Sequence, residues 1–197
     1  GDAKAANDTQ NRAIELATFL ALPAAVALVA AAVPIVRGVF QHGQFSAADT
    51  LGTSGALAAF AIGVPAYVLI KVLTPGFYAR SDTKTPVRLA MIAMLVNLVG
   101  NFILIWPLGH VGVGVATAIS AWVNVALLYI TLHRRGLLTL DARLRGKLWR
   151  MVVAAALMAG ALVAGNAVAD PWMTGGLWTR IAALTVLCGS GAAIYGV

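Results

Sequence analysis

In a strongly apolar chain, the stretch MLVNLVGNFILIW sets Asn97 and Asn101 four residues apart, which on a helix places both amides on one face. The following stretch, VGVGVATAISAWVNV, carries Thr117, Ser120 and Asn124 among Gly112, Gly114 and Ala118. Small residues at such spacing let two helices approach until amides and hydroxyls can bond across the contact. Two kinds of chemistry are open to this cluster. One is interhelical hydrogen bonding, with every amide satisfied by a neighbour. The other is a site for a cation or polar substrate, since oxygen ligands suit hard cations.

Other chemistry finds little support in the residue types. No carboxylate lies within the apolar runs, no His/Cys cluster has metal-ligand spacing, and no Gly-rich loop carries a phosphate-binding Lys. His42, His110 and His133 each stand alone at the edge of a run. The single cysteine, Cys188, lies inside an apolar run, reads as a packing residue and rules out a disulfide within the chain. The expectation is a protein that is not an enzyme.

Long helices must carry the polar cluster. The chain is 60% hydrophobic and 11% charged, with a mean hydropathy of +0.87, whereas a soluble domain needs about 25% charge to cover its surface. Uncharged apolar runs cover residues 16–36, 50–70, 89–109, 111–132, 151–169 and 181–197. Most approach the 20 or so residues that an α-helix needs to cross the hydrocarbon layer. The fold class expected is therefore all-α, a polytopic integral membrane bundle of about six transmembrane helices. The first run, preceded by Lys4 and Arg12, imitates a signal peptide, but its length, Pro23, Pro34 and the later runs favour a span. Pro23, Pro34, Pro65 and Pro107 are compatible with kinks or helix ends. With no initial Met and a last run ending at Val197, the sequence reads as a piece of a longer polypeptide.

The net charge of +7 does not imply nucleic acid, because the cations sit in the connectors between apolar runs and form no basic face. If the start is cytoplasmic, all fourteen Lys and Arg except Arg37 and Arg180 fall on that side. The positive-inside rule then places both ends of the chain in the cytoplasm. Residues 72–90 become a cytoplasmic elbow, with Pro75 and Gly76 stopping one helix and Pro86 suiting the first turn of the next. Its Arg80, Lys84 and Arg88 are candidates for a cytoplasmic gate or for contact with the anionic leaflet. The second basic connector, LHRRGLLTLDARLRGKLWR, reads either as a helix lying on the membrane or as a solvated linker. Phe77, Tyr78, Tyr129 and Trp149 fall near the inner interface, and Trp106, Trp172 and Trp178 near the outer one, as an aromatic belt would.

Several segments together resemble the MurJ (MviN) family of lipid II flippases. They are KVLTPGFYARSDTKTPVRLA, NLVGNFILIWPLGHVGVGVATAISAWVNVALLY and LHRRG, with LALPAAVAL and VFQHGQFSAADT nearer the start. The resemblance implies the ninth to fourteenth helices of a fourteen-helix, two-lobed exporter of the multidrug and oligosaccharide-lipid superfamily, resident in the bacterial inner membrane. Residues 1–135 would be part of the C-lobe, 136–150 a basic cytoplasmic linker, and 151–197 the last two helices, lining a groove for a lipid tail. The implied activity is alternating-access transfer of lipid II to the periplasmic leaflet for peptidoglycan synthesis. Its partners would be lipid II, membrane lipids and the N-terminal lobe, whose cavity arginines lie outside this chain.

The same resemblance places a sodium site on Asn97, Asn101, Val113 and Thr117, with Val113 offering its carbonyl. Asn101 departs from the acidic residue of that pattern, and an acidic ligand from the seventh helix lies outside this chain. The cofactor expectation is therefore none, or a sodium ion without the carboxylate that most favours it. The competing functional readings are another exporter of the superfamily, for drugs or oligosaccharide lipids, and a membrane scaffold that transports nothing.

Overall fold

A serine three residues before an acid opens the second long helix, and the backbone there shows how the elements are set. The Ser46 hydroxyl accepts the Asp49 amide at 3.2 Å while the Ser46 amide donates to the Asp49 carboxylate at 2.9 Å, a reciprocal cap for two otherwise unpaired donors. The computed structural model describes residues 2–40 and 46–173. Its helices are α1 (Asp2–Ala30), α2 (Ala32–Phe40), α3 (Ala47–Leu73), α4 (Pro75–Tyr78), α5 (Lys84–Leu108), α6 (His110–Arg134) and α7 (Ala142–Met173). Five helical stretches among the described residues are long and apolar enough to cross a membrane. The expected sixth run, 181–197, lies outside the described residues, together with His42, Trp178, Arg180, Cys188 and the Trp172 side chain.

Two boundaries differ from the hydropathy reading. α1 begins at Asp2, well before the apolar run at residue 16, so its polar first half is helical too. Glu15 consequently stands inside a candidate span, Lys4–Ala30. The first run is also broken: α1 stops at Ala30 and α2 resumes at Ala32, because Pro34 has no N–H to give the Ala30 carbonyl and its ring crowds that oxygen. Pro23 and Pro65, by contrast, are accommodated inside α1 and α3.

α6 lies between α3 and α5, while α1 packs against α3 and α7. Small residues make the α3–α6 contact close. A Cβ on Gly63 would stand 3.3 Å from the Ala118 backbone, and one on Gly114 would stand 2.9 Å from the Ala59 Cβ. α5 packs chiefly on α6 and leaves Met94, Leu98, Phe102 and Trp106 exposed along its outer face, as a lipid-facing helix would.

The basic connectors meet at one end of the bundle. Asn7 accepts the Thr139 amide at 2.9 Å, and Asn11 donates to the Thr139 carbonyl at 2.9 Å. Beneath them Phe77, Leu132, Leu138 and Leu144 are at most 1% exposed and pack with Ile14, Leu73 and Leu128. In the second connector Leu138 and Leu144 enter this core while Arg134, Arg135, Arg143 and Arg145 stay exposed, and α7 starts within the connector at Ala142. Phe77 leaves the expected interfacial belt for the same core, whereas Tyr78, Trp106 and Trp149 are exposed.

Candidate functional site

The α5–α6 hairpin assembles the polar cluster because its two helices are joined through a single residue. Gly109 takes φ +56°, a left-handed value open to glycine without steric cost. Close approach continues past the turn. A Cβ on Gly112 would lie 2.2 Å from the Leu104 carbonyl oxygen, and one on Gly100 would lie 3.1 Å from the Ala116 Cβ.

Across this seam Asn101 Nδ2 donates to Asn97 Oδ1 at 3.0 Å, and Asn97 Nδ2 donates to Thr117 Oγ1 at 3.2 Å. Thr117 Oγ1 in turn donates to the Val113 carbonyl at 2.7 Å. The four residues named by the resemblance are therefore brought together. One turn on, Ser120 Oγ donates to the Thr117 carbonyl at 2.9 Å. Asn101 Oδ1 and Asn124 Oδ1 are buried without a partner among the described residues.

As a donor set for a cation these oxygens are neutral and already engaged: those of Asn97, Thr117 and Val113 each accept a hydrogen bond within the cluster, and Asn101 Oδ1 accepts none among the described residues. None is a carboxylate, so the seam offers no charge to offset the cost of stripping water from an ion. What it can do is hold two helices in register inside hydrocarbon, where amides lack water as an alternative partner.

The elbow holds a second constellation. Asp82 accepts from the Thr85 amide at 3.0 Å and from the Thr85 hydroxyl at 2.6 Å, and Arg135 Nη1 donates to Asp82 at 2.6 Å. Arg135 also donates to Thr85 Oγ1 at 3.0 Å and lies 5.7 Å from the centre of the Phe77 ring. These bonds, led by the Thr85 hydroxyl and then by the Arg135 guanidinium, hold the Asp82 carboxyl well below its ordinary 3.8. A depressed carboxyl favours the folded state above its ordinary value and loses that contribution as pH falls below it. The latch is therefore fully formed throughout the neutral range.

The three gate candidates take two different settings. Arg80 donates to the Gly76 carbonyl at 2.7 Å within its own elbow, while Lys84 and Arg88 are exposed on the first turns of α5. Residue reasoning overlooked Asp82 and Arg135 as a pair, although an Asp three residues before Thr85 at a helix start is a legible capping signal. It also missed Glu15, which accepts from Arg12 at 3.0 Å and from Lys147 of α7.

A family model described as lipid II flippase MurJ matches residues 1–183. The chain belongs to the MurJ family. A probable lipid II flippase MurJ of Vibrio cholerae is 41% identical over 187 residues, which are 95% of this chain and 36% of that protein. The corresponding protein of Rhizobium meliloti is 42% identical over 197 residues, covering 99% of this chain and 37% of its own length. Among solved structures, lipid II flippase MurJ in an inward closed conformation superposes with a TM-score of 0.72 at 24% identity, over 98% of this chain and 40% of that one. The chain thus spans little more than a third of the curated relatives it matches. The MurJ match and the apolar helices together make it part of a multi-pass membrane protein.

Proposed function

We propose that this chain is the C-terminal portion of a flippase that carries lipid II from the cytoplasmic to the periplasmic leaflet of the bacterial inner membrane. The observation that carries the reading is the MurJ match over residues 1–183. It disfavours a drug exporter or a scaffold. Transport would proceed by alternating access, without covalent chemistry, against an N-terminal lobe of the same polypeptide. Both ends of the chain would be cytoplasmic: the polar contacts of Asn7, Asp82, Arg135 and Lys147 gather the basic connectors at one end, where the positive-inside rule puts cytoplasm. Depleting the complete protein should leave lipid II inaccessible to a lipid II-degrading enzyme added outside spheroplasts, and cysteines at positions 80 and 145 should label from the cytoplasm only. Continued exposure of lipid II after depletion would refute transport, and labelling from opposite sides would refute the topology.

Arg80, Lys84 and Arg88 would serve at the anionic leaflet, a role supported by their exposure and by the surplus of cations around them. Reversing all three charges should lower lipid II export while the protein still assembles. Export at the normal rate would remove them from the mechanism.

The polar seam would act as a hydrogen-bonded hinge plate that needs no sodium. Support comes from the neutral amide at Asn101, where the family pattern has an acid, and from the bonds the seam's oxygens already accept. The thermal midpoint should then be the same in sodium and potassium chloride, whereas Asn101→Asp should gain about 3 °C in sodium alone. A sodium-specific rise in the unsubstituted protein would overturn this reading.

A further inference from the structure

Where α1 and α7 meet at the basic end, the seam opens into a groove of about 530 Å³, a volume within the range of about 300–1,000 Å³ usual for small-molecule sites. Its mouth and its floor differ in chemistry. Arg12, Lys147 and Arg150 line the mouth together with one carboxylate, Glu15. Glu15 binds both Arg12 and Lys147, and so holds two cationic side chains at the rim while neutralising only part of their charge. Arg12 also faces Asp141 at 3.9 Å. Arg150 has no acidic partner among the described residues and is exposed beside Trp149, itself 70% exposed. The apolar floor is Leu16, Phe19, Met151 and Ala154. Leu16, and Leu20 one turn on, are more than 60% exposed, so the floor runs on as an open apolar strip along α1.

We propose that this groove binds an anionic glycerophospholipid of the adjacent leaflet, its phosphate at Arg150, Lys147 and Arg12 and one acyl chain along Leu16 and Phe19. A free anion would have no use for the apolar floor, and a zwitterionic lipid would leave the cationic surplus unmatched. An exposed Trp beside an Arg marks headgroup depth, where one basic side chain near an anionic surface is worth about fivefold in affinity. The lipid would fill the seam between the first and last described helices as a bound component of the bundle. The transport reading rests on the family match over residues 1–183, so a binding measurement at this groove can fail without touching it.

The test is a titration of the purified complete protein in non-ionic detergent with phosphatidylglycerol, phosphatidylcholine or inorganic phosphate, following the thermal midpoint. Phosphatidylglycerol should stabilise at concentrations at which the other two do not. Arg150→Gln should weaken its apparent affinity about fivefold, Arg150→Lys should largely retain it, and Ala154→Leu should abolish it by filling the floor with the charges intact. Equal stabilisation by phosphatidylcholine or by inorganic phosphate would overturn the proposal. So would unaltered phosphatidylglycerol affinity in both Arg150→Gln and Ala154→Leu.

Discussion

Replacing Gly112 with alanine should lower stability by about 3 kcal/mol, the upper part of the usual range for overpacking. The new Cβ would sit 2.2 Å from the Leu104 carbonyl oxygen and 2.6 Å from its carbon. Both are backbone atoms, so no side-chain rotation relieves the clash. The helices must separate, yet a single residue, Gly109 at φ +56°, fixes their junction. Separation would stretch the bond from Asn97 to Thr117 just beyond, adding lost polar contact to strain. For a chain of this size the expected fall in thermal midpoint is about 6–12 °C. Gly146 and Gly160 of α7 are the internal control, since a Cβ at either meets nothing within 4 Å. Alanine there should be neutral or stabilising, by up to about 1 kcal/mol. If Gly112→Ala and Gly146→Ala melted together, the tight-hairpin account would be wrong.

The polar pairings were far less legible in the sequence than the spans, and the reason is physical. Crossing hydrocarbon imposes a length and an absence of charge on each segment, so α3, α5 and α6 could be read directly from uncharged runs. Residues four apart on one helix face are also local information, which is why Asn97, Asn101 and Thr117 could be singled out. Partners distant in sequence are not local. Hydropathy ended the first span at residue 16 because Asn11, Arg12 and Glu15 look like loop residues; they are helical because Thr139, Asp141 and Lys147 satisfy them from the far connector. Phe77 shows the same limit. An aromatic between Gly76 and Tyr78 in a charged elbow suggests an interface, and only the convergence of the elbow, the second connector and the first half of α1 turns its position into a core.

That convergence makes Phe77→Ala the most damaging substitution expected, at about 3–5 kcal/mol. The ring is 1% exposed and touches a cluster drawn from α1, α3, α6, the 135–141 connector and α7, among them Ile14, Leu73, Leu132, Leu138 and Leu144. Removing it opens a cavity that none of these elements can fill without moving the others. It also takes away the face over which Arg135 sits, loosening the guanidinium that bridges Asp82 and Thr85. Phe77→Leu should recover most of the loss, because it restores apolar volume and forgoes mainly the contact with Arg135, worth about 1 kcal/mol at an exposed site. Thermal unfolding of both variants, with limited proteolysis of the 135–141 connector, separates the two contributions. Packing predicts that alanine alone exposes the connector; equal cleavage in both variants would mean that Arg135, not the core, holds this end closed. The distinction bears on the transport proposed for the complete protein. An end knotted through one buried ring moves as a unit, so any rocking of this lobe would carry the elbow, the connector and the start of α1 together.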